Sequence, residues 1–403
     1  MIIIAENIGS LLTNIPKEVL TKLKISMTST ASLGDTLEIV VIYSNKQKAE
    51  EAVNNLKGKF EDLGYNFAII TVDTSKITQL AMESSIQYIE FPKSFYFSDY
   101  ESNEAACIIK SRNTFNTEGR GVIIGFIDSG IDYTHPAFLD FNGDTRVKYI
   151  YDLSINEQKV YTENDINMAL KNSDPYSIVP VYDTTGHGTH VAGIVAANGK
   201  VDSVIGAAPE AELYILKALD RTGSGKSSWV INAVNYAVDL KVDVISMSLG
   251  MPEKDNKLER AIKNAIKNNI LVVCAAGNEG DGNYDDFEYS YPAAYVDVIA
   301  VGAVDKKAVP ASFSNANLVI DCVAPGVDII STYPNNRFAS LSGTSMAAPY
   351  VSGTVALLKN WSRDVFQREL TESELYAQLI KYTKTLQYPR TIQGNGLIYL
   401  KQR

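Results

Sequence analysis

Three short glycine-rich blocks constrain this chain more than any other feature. Gly125-Phe126-Ile127-Asp128-Ser129-Gly130 carries an Asp, Gly186-His187-Gly188-Thr189-His190-Val191-Ala192-Gly193 a His, and Gly343-Thr344-Ser345-Met346-Ala347-Ala348-Pro349 a Ser. Each adjoins an apolar run. Residues 122–127 read as a strand buried on both faces. Residues 191–197 read as a buried helix with His187 near its N-terminus, and 346–358 as a helix that Ser345 opens. Further strands are expected at 213–218, 242–247 and 270–275. Between them lie helical faces, Trp229, Ala233, Val234, Ala237 and Val238 on the first, then Leu258, Ala261, Ile262, Ala265 and Ile266. This alternation predicts an α/β fold, a parallel sheet with helices on both faces. Asp128 falls at the carboxyl end of a strand, where the crevice of such sheets lies.

Residues 1 to about 95 differ. They are poor in Gly and rich in Lys, Glu and Asn. A strand at 37–43 leads to a helix capped by Asn45, with Ala49, Ala52, Val53, Leu56 and Phe60 on one face and Gly64 as its stop. A second strand at 67–72, a short helix with Ile77, Leu80 and Ala81, and a strand at 86–90 complete a small α+β, ferredoxin-like module. The expected division is 1–96 and 97–403.

Composition narrows the function. The net charge is −10, which disfavours binding to nucleic acid, since that needs basic surface. No run reaches the ~18 apolar residues of a membrane helix. The start, Met1-Ile2-Ile3-Ile4-Ala5-Glu6, lacks a basic region and a full apolar core, so no export signal and no membrane contact are expected. A cytoplasmic protein, with packaging in a spore as a special case, follows. Cys107, Cys274 and Cys322 show no metal-ligand spacing, and Cys274 reads as a buried hydrophobe.

The chemistry rests on four residues. A carboxylate at Asp128 can hold an imidazole in one tautomer and stabilise its protonated form; taken alone, Asp128 reads more readily as a helix-cap or turn residue. Only three histidines exist, and His187, set between glycines, is the candidate general base. His190 is expected to be packed and hydrogen-bonded, and His135, before Pro136, to face solvent. Ser345 at a helix N-terminus sits beside free N–H groups, which suits a nucleophile whose intermediate is an oxyanion, or equally a plain cap. Asn278, in Ala275-Ala276-Gly277-Asn278-Glu279-Gly280 after a strand, can donate to that oxyanion or merely turn the chain.

Together these blocks resemble the subtilisin-like serine proteases, the subtilases, over about 119–358. The resemblance implies a serine endopeptidase with Asp128, His187 and Ser345 as its triad, and Asn278 with the Ser345 N–H as oxyanion hole. It implies that Ser248, Leu249 and Gly250, opposite Gly223, Ser224 and Gly225, hold a peptide substrate as an added strand. It makes residues 1–96 a propeptide, chaperone and inhibitor, processed near Ser94-Phe95-Tyr96-Phe97-Ser98, with a permanent N-terminal domain as the alternative. The implied partners are a protein or peptide substrate and the chain's own propeptide.

No cofactor is expected. Subtilisins commonly bind calcium after the His helix, but Lys200 and Ala137 stand where oxygen ligands belong. Asp140-Phe141-Asn142-Gly143-Asp144 reads as a turn, and Asp321, with carbonyls near Ala293, Tyr295 and Val298, matches the family's weaker cation site. Residues 132–138 and 144–152 resemble clostridial germination subtilases more than secreted subtilisins, although the motif spacing leaves no room for the inserted β-sandwich usual there. Two alternatives stay beside the active endopeptidase: a self-cleaving enzyme that its propeptide keeps inhibited, and a pseudoprotease-like sensor or scaffold in signalling or germination. The acidic loop after Asn278, with Glu279, Asp281, Asp285, Asp286 and Glu288, leads by resemblance into the S1 wall. It reads as a solvated loop or as a selector for Lys or Arg at P1, whereas Phe95-Tyr96-Phe97 favours a large apolar P1.

Overall fold

The computed structural model describes residues 23–24, 36–64, 66–90, 117–155, 158–199 and 204–400. The expected processing site, Cys107 and Lys200 lie outside them. The chain divides into two compact units, 1–96 and 97–403.

The first unit contains β1 (Leu23–Lys24), β2 (Thr36–Tyr43), α1 (Lys46–Asn55), β3 (Lys59–Gly64), β4 (Phe67–Asp73), α2 (Ile77–Met82) and β5 (Ile86–Glu90). The sheet order is β1-β5-β2-β4-β3. Strands β5, β2, β4 and β3 pair antiparallel, which is the ferredoxin-like arrangement. The expected helix stops earlier than Gly64. Asn45 caps it as anticipated, its side chain accepting from Lys48 N, but Lys57 has φ +60° and breaks the helix. Phe60 therefore lies on β3, with its ring 5.8 Å from that of Tyr43. Its spacing from Leu56 fits a helix, but pairing with β4 wins.

The second unit contains β6 (Ile123–Asp128), β7 (Val147–Asp152), β8 (Lys159–Thr162), α3 (Glu163–Leu170), α4 (His187–Ala196), β9 (Glu212–Lys217), α5 (Ser227–Asp239), β10 (Val244–Met247), α6 (Asn256–Lys267), β11 (Leu271–Ala275), β12 (Ile299–Val304), β13 (Cys322–Pro325), β14 (Ile329–Tyr333), β15 (Arg337–Leu341), α7 (Thr344–Phe366), α8 (Glu372–Lys381), β16 (Thr383–Lys384), α9 (Arg390–Gln393) and β17 (Leu397–Ile398). The large sheet runs β16-β17-β13-β12-β11-β10-β6-β9-β7-β8. Every neighbouring pair from β17 to β7 is parallel, and antiparallel strands close both edges.

Alternation within the strands builds two cores. Val244, Leu271 and Val273 face α4 and α7, packing with Val191, Ile194, Val195, Met346 and Tyr350. Ile245, Met247, Val272 and Cys274 face α5 and α6, packing with Val234, Ala237, Leu258 and Ile262. Large side chains such as Leu258 and Ile262 are each stabilised by about 1.5–3 kcal/mol on burial. Both sheet faces are thereby covered, and the functional loops are left at the carboxyl ends of β6, β9, β10 and β11.

Candidate active site

Asp128 is the last residue of β6 and is buried. Its Oδ1 accepts from Ser129 N at 2.7 Å and lies 2.7 Å from His187 Nδ1. His187 is the first residue of α4, and its side chain stays 28% exposed, so the ring is held from behind and open in front. Gly188 permits this approach: a Cβ there would stand 2.2 Å from the Gly130 carbonyl oxygen. Burial alone would lower the imidazole's proton affinity, but the Asp128 charge and hydrogen bond, with Asp183 behind them, leave it raised. The Asp128 contact leaves the opposite nitrogen, Nε2, as the proton acceptor.

Ser345 is the second residue of α7. Its hydroxyl donates to the Ser248 carbonyl at 3.3 Å, and Ser248 Oγ donates to the Ser345 carbonyl at 2.9 Å. Asn278 follows β11, and its Oδ1 accepts from Thr344 N (2.8 Å) and Thr344 Oγ1 (3.0 Å). That fixes the amide's orientation and leaves Nδ2 as the donating end. Gly277 has φ +112°, and a Cβ there would fall 2.3 Å from Asn315 Nδ2, so only glycine fits.

Two cavities form one cleft. The first, about 350 Å³, is lined by Ser345, Asn278, Glu279, Tyr289 and Ser290. The second, about 620 Å³, is lined by His187, Gly223, Ser224, Gly225 and Lys226. Ser248, Leu249 and Gly250 line both. His187, Ser345, Asn278 and both expected substrate edges therefore border the same cleft, and Asp128 lies buried behind His187.

Other residues lie elsewhere. His135 is fully buried rather than solvent-facing: its Nδ1 accepts from Ala137 N at 3.1 Å and its Nε2 lies 3.1 Å from the Arg337 carbonyl oxygen. The β14–β15 hairpin covers it, a long-range contact that the local His-Pro signal does not reveal. His190 is buried, with Nε2 against the carbonyls of Ile329 and Ala339. Asp140 Oδ1 accepts from Asn142 N and Asp144 N, forming a turn. Both Asp321 carboxylate oxygens are engaged by donors, Tyr376 Oη and Ala300 N. Among the described residues no cluster of three His, Cys, Asp or Glu is arranged to hold a metal.

Three supporting residues were not anticipated. Thr344 ties the Asn278 loop to α7. Lys217, at the end of β9, is a buried ammonium that donates to the carbonyls of Ser129 and Leu219. Asp183 is a buried carboxylate just before α4. Their only sequence signals were a polar neighbour of Ser345, a lone charge in an apolar strand, and an acidic residue ahead of a helix.

The fold and this cleft define an α/β serine peptidase. Residues 119–396 match the subtilase family and residues 5–93 the Csp protease B prodomain. The chain belongs to the subtilase family, as a serine endopeptidase that carries a prodomain. It is 47% identical over 284 residues to the major intracellular serine protease of Bacillus subtilis, covering 70% of this chain and 82% of that protein. It is 35% identical over 302 residues to subtilisin E of the same species, covering 73% of this chain and 70% of that protein. The structure of the Clostridium perfringens CspB protease superposes with a TM-score of 0.68 at 26% identity, covering 75% of this chain and 97% of that one. No helix among the described residues is long and apolar enough to cross a membrane.

Proposed function

We propose that the chain cleaves proteins through an acyl-enzyme on Ser345, with His187 as general base and Asp128 as its orienting carboxylate. The observation that carries this reading is the 2.7 Å contact between His187 Nδ1 and buried Asp128 Oδ1, at a cleft that Ser345 also lines. Ser345 Oγ leaves the Ser248 carbonyl, gives its proton to His187 Nε2 and attacks the scissile carbonyl carbon. Asn278 Nδ2 and the Ser345 N–H donate to the resulting oxyanion. Its collapse expels the amine, which takes the proton back from His187. Water then repeats the sequence to release the acyl group. Residues 223–225 and 248–250 hold the peptide backbone between them.

The same machinery removes residues 1–96 by cutting near Ser94 to Ser98, and the released segment is the enzyme's inhibitor. A cytoplasmic site of action is supported by the names of the intracellular relatives.

Mass spectrometry of the purified chain and of Ser345→Ala tests the reading, together with turnover of a peptide substrate. Wild type should appear as two fragments divided near residue 96, and Ser345→Ala as one intact chain. Ser345→Ala and His187→Ala should each fall to background, since the two act as a unit. Asn278→Ala should lose about 10²–10³ in kcat at similar KM, a magnitude carried over from subtilisin, where such a donor was removed. Turnover by contaminant-free Ser345→Ala rules the mechanism out.

A further inference from the structure

We propose that Asp183 is the positioning residue of the Asp128–His187 pair, a single buried carboxylate that grips both arms and sets a second negative charge behind the imidazole. The proposal rests on the triad reading above.

Asp183 Oδ1 accepts from Ser129 Oγ at 2.8 Å and Gly186 N at 3.0 Å, and Thr185 Oγ1 lies 3.1 Å away. Its Oδ2 accepts from Thr189 N at 2.7 Å and Thr189 Oγ1 at 2.6 Å. These donors belong to the two chain segments that carry the pair. Ser129 follows Asp128, and its N–H donates to the oxygen that meets His187. Ser129 Oγ also accepts from Gly188 N at 2.9 Å, and Thr185 Oγ1 accepts from His187 N at 3.2 Å. Asp128 Oδ2 is buried without a hydrogen-bond partner among the described residues. The orientation of Asp128 therefore depends on its Oδ1 contacts, and so on Ser129.

Ser129 is held twice, at its hydroxyl by Asp183 and at its carbonyl by the Lys217 ammonium. The charged and titratable groups around the imidazole are Asp128, Asp183, Lys217 and His190. Tyr333, with Arg337 over its ring, caps the Thr185–Gly186 turn by donating to the Thr185 carbonyl at 2.9 Å. Of these groups the two carboxylates favour the protonated ring. A carboxylate accepts at both oxygens. An amide in its place turns one of them into a donor facing donors, and it removes the charge.

The test uses Asp183→Asn and Ser129→Ala in the full chain. A fluorophosphonate titrates the competent sites, and kcat and KM per titrated site are then followed from pH 5 to 10. Asp183→Asn should lose about ten-fold or more in kcat with KM little changed. Its acid limb of kcat/KM should move down by about half a pH unit or more. Ser129→Ala keeps the charge but severs the link, so kcat should fall while the limb stays. A merely structural role would lower the number of titratable sites and leave both readouts per site untouched. Wild-type kcat and acid limb in Asp183→Asn overturn the proposal. If that variant does not fold, wild-type kcat in Ser129→Ala overturns it. Failure of the triad reading is distinguishable, because it shows as turnover by His187→Ala or Ser345→Ala with Asp183 intact.

Discussion

Arg146 allows a stability prediction worked from contacts. Its guanidinium lies among backbone carbonyls, with Nη1 2.7 Å from the Ala196 oxygen and Nη2 3.2 Å from that of Ala211. The Ala137 oxygen is 3.5 Å from Nη1 and also accepts from Asn198 N at 3.1 Å. Asn198 Nδ2 reaches the carbonyls of Pro136 and Leu139. Carbonyls beside the loop where subtilisins commonly hold calcium are thus engaged by the chain's own donors. Ala196 ends α4, so the charge also faces the negative end of the helix that begins at His187. Burial brings Arg146 down to about 10, which leaves it protonated at pH 7. Arg146→Met fills similar volume and donates nothing. Two buried carbonyls lose their donor at about 1–3 kcal/mol each, and the helix end loses about 0.3–2 kcal/mol. The relief of no longer burying a cation returns roughly 3 kcal/mol. The net is a loss of about 2 kcal/mol. At about 2.1 cal/mol/K per residue, that is about 3 °C for a domain of this size. Scanning calorimetry in a Ser345→Ala background, which prevents self-digestion, reads it directly. Chelator should move the parent by less than about 2 °C, because stabilisation by a bound ion scales as RT ln(1 + [L]/Kd). An Arg146→Met protein melting with its parent, or a chelator loss beyond about 10 °C, refutes the reading that Arg146 and Asn198 satisfy these carbonyls in place of an ion.

Two further predictions concern His190 and the S1 wall. His190 is held down to about 4 by burial, so between about pH 4 and 6.5 the unfolded chain binds a proton that the folded chain refuses. Stability from this group is present above about pH 6.5 and lost toward pH 4, up to about 3 kcal/mol. Urea midpoints of Ser345→Ala at pH 7 and 4.5 should fall more steeply than those of Ser345→Ala/His190→Asn, and equal slopes exclude the effect; His187, raised, works in the opposite sense in both. Of the five carboxylates in the loop expected to lead into S1, only Glu279 borders the cavity beside Ser345, and its Oε2 accepts from Asn315 Nδ2 at 2.8 Å. Glu288 instead accepts from Ala316 N. One exposed, screened carboxylate is worth about 0.2–1 kcal/mol, so a peptide library should favour Phe, Tyr or Leu at P1. Glu279→Gln should change the Lys-to-Phe ratio less than about five-fold at low salt. A ten-fold preference for Lys or Arg contradicts this.

Much of the fold was legible because burial writes periodicity into sequence. The expected strands around β6, β9, β10 and β11 and the faces of α5 and α6 follow from alternation and from 3.6-residue spacing. Periodicity is silent about where an element stops when two structures fit it, as at Leu56 and Phe60, where a positive φ at Lys57 decided the outcome. It also understated α7, which continues to Phe366 beyond the apolar stretch, because Lys359, Arg363 and Asp243 pair at its far end. The edge hairpin β7–β8 and α3 carry no comparable stripe and were missed.

The residues proposed for the chemistry stood out in the sequence for a different reason. Asp128, His187 and Asn278 must approach other backbone closely, and only glycine allows it at Gly188 and Gly277, so each leaves a marked neighbourhood. Supporting residues leave no such mark. Asp183 reaches Ser129 across 54 positions and accepts a hydroxyl there, and two of its nearer donors are the backbone N–H groups of Gly186 and Thr189, which nearly any sequence supplies. Lys217 likewise donates to carbonyls. A group whose partners are backbone atoms is constrained by topology, here by β6 lying beside β9 with Asp128 in register with Lys217, and not by the identity of its neighbours. The reacting groups can therefore be read from local composition, while the residues that orient them become visible only once the sheet brings the strand ends together.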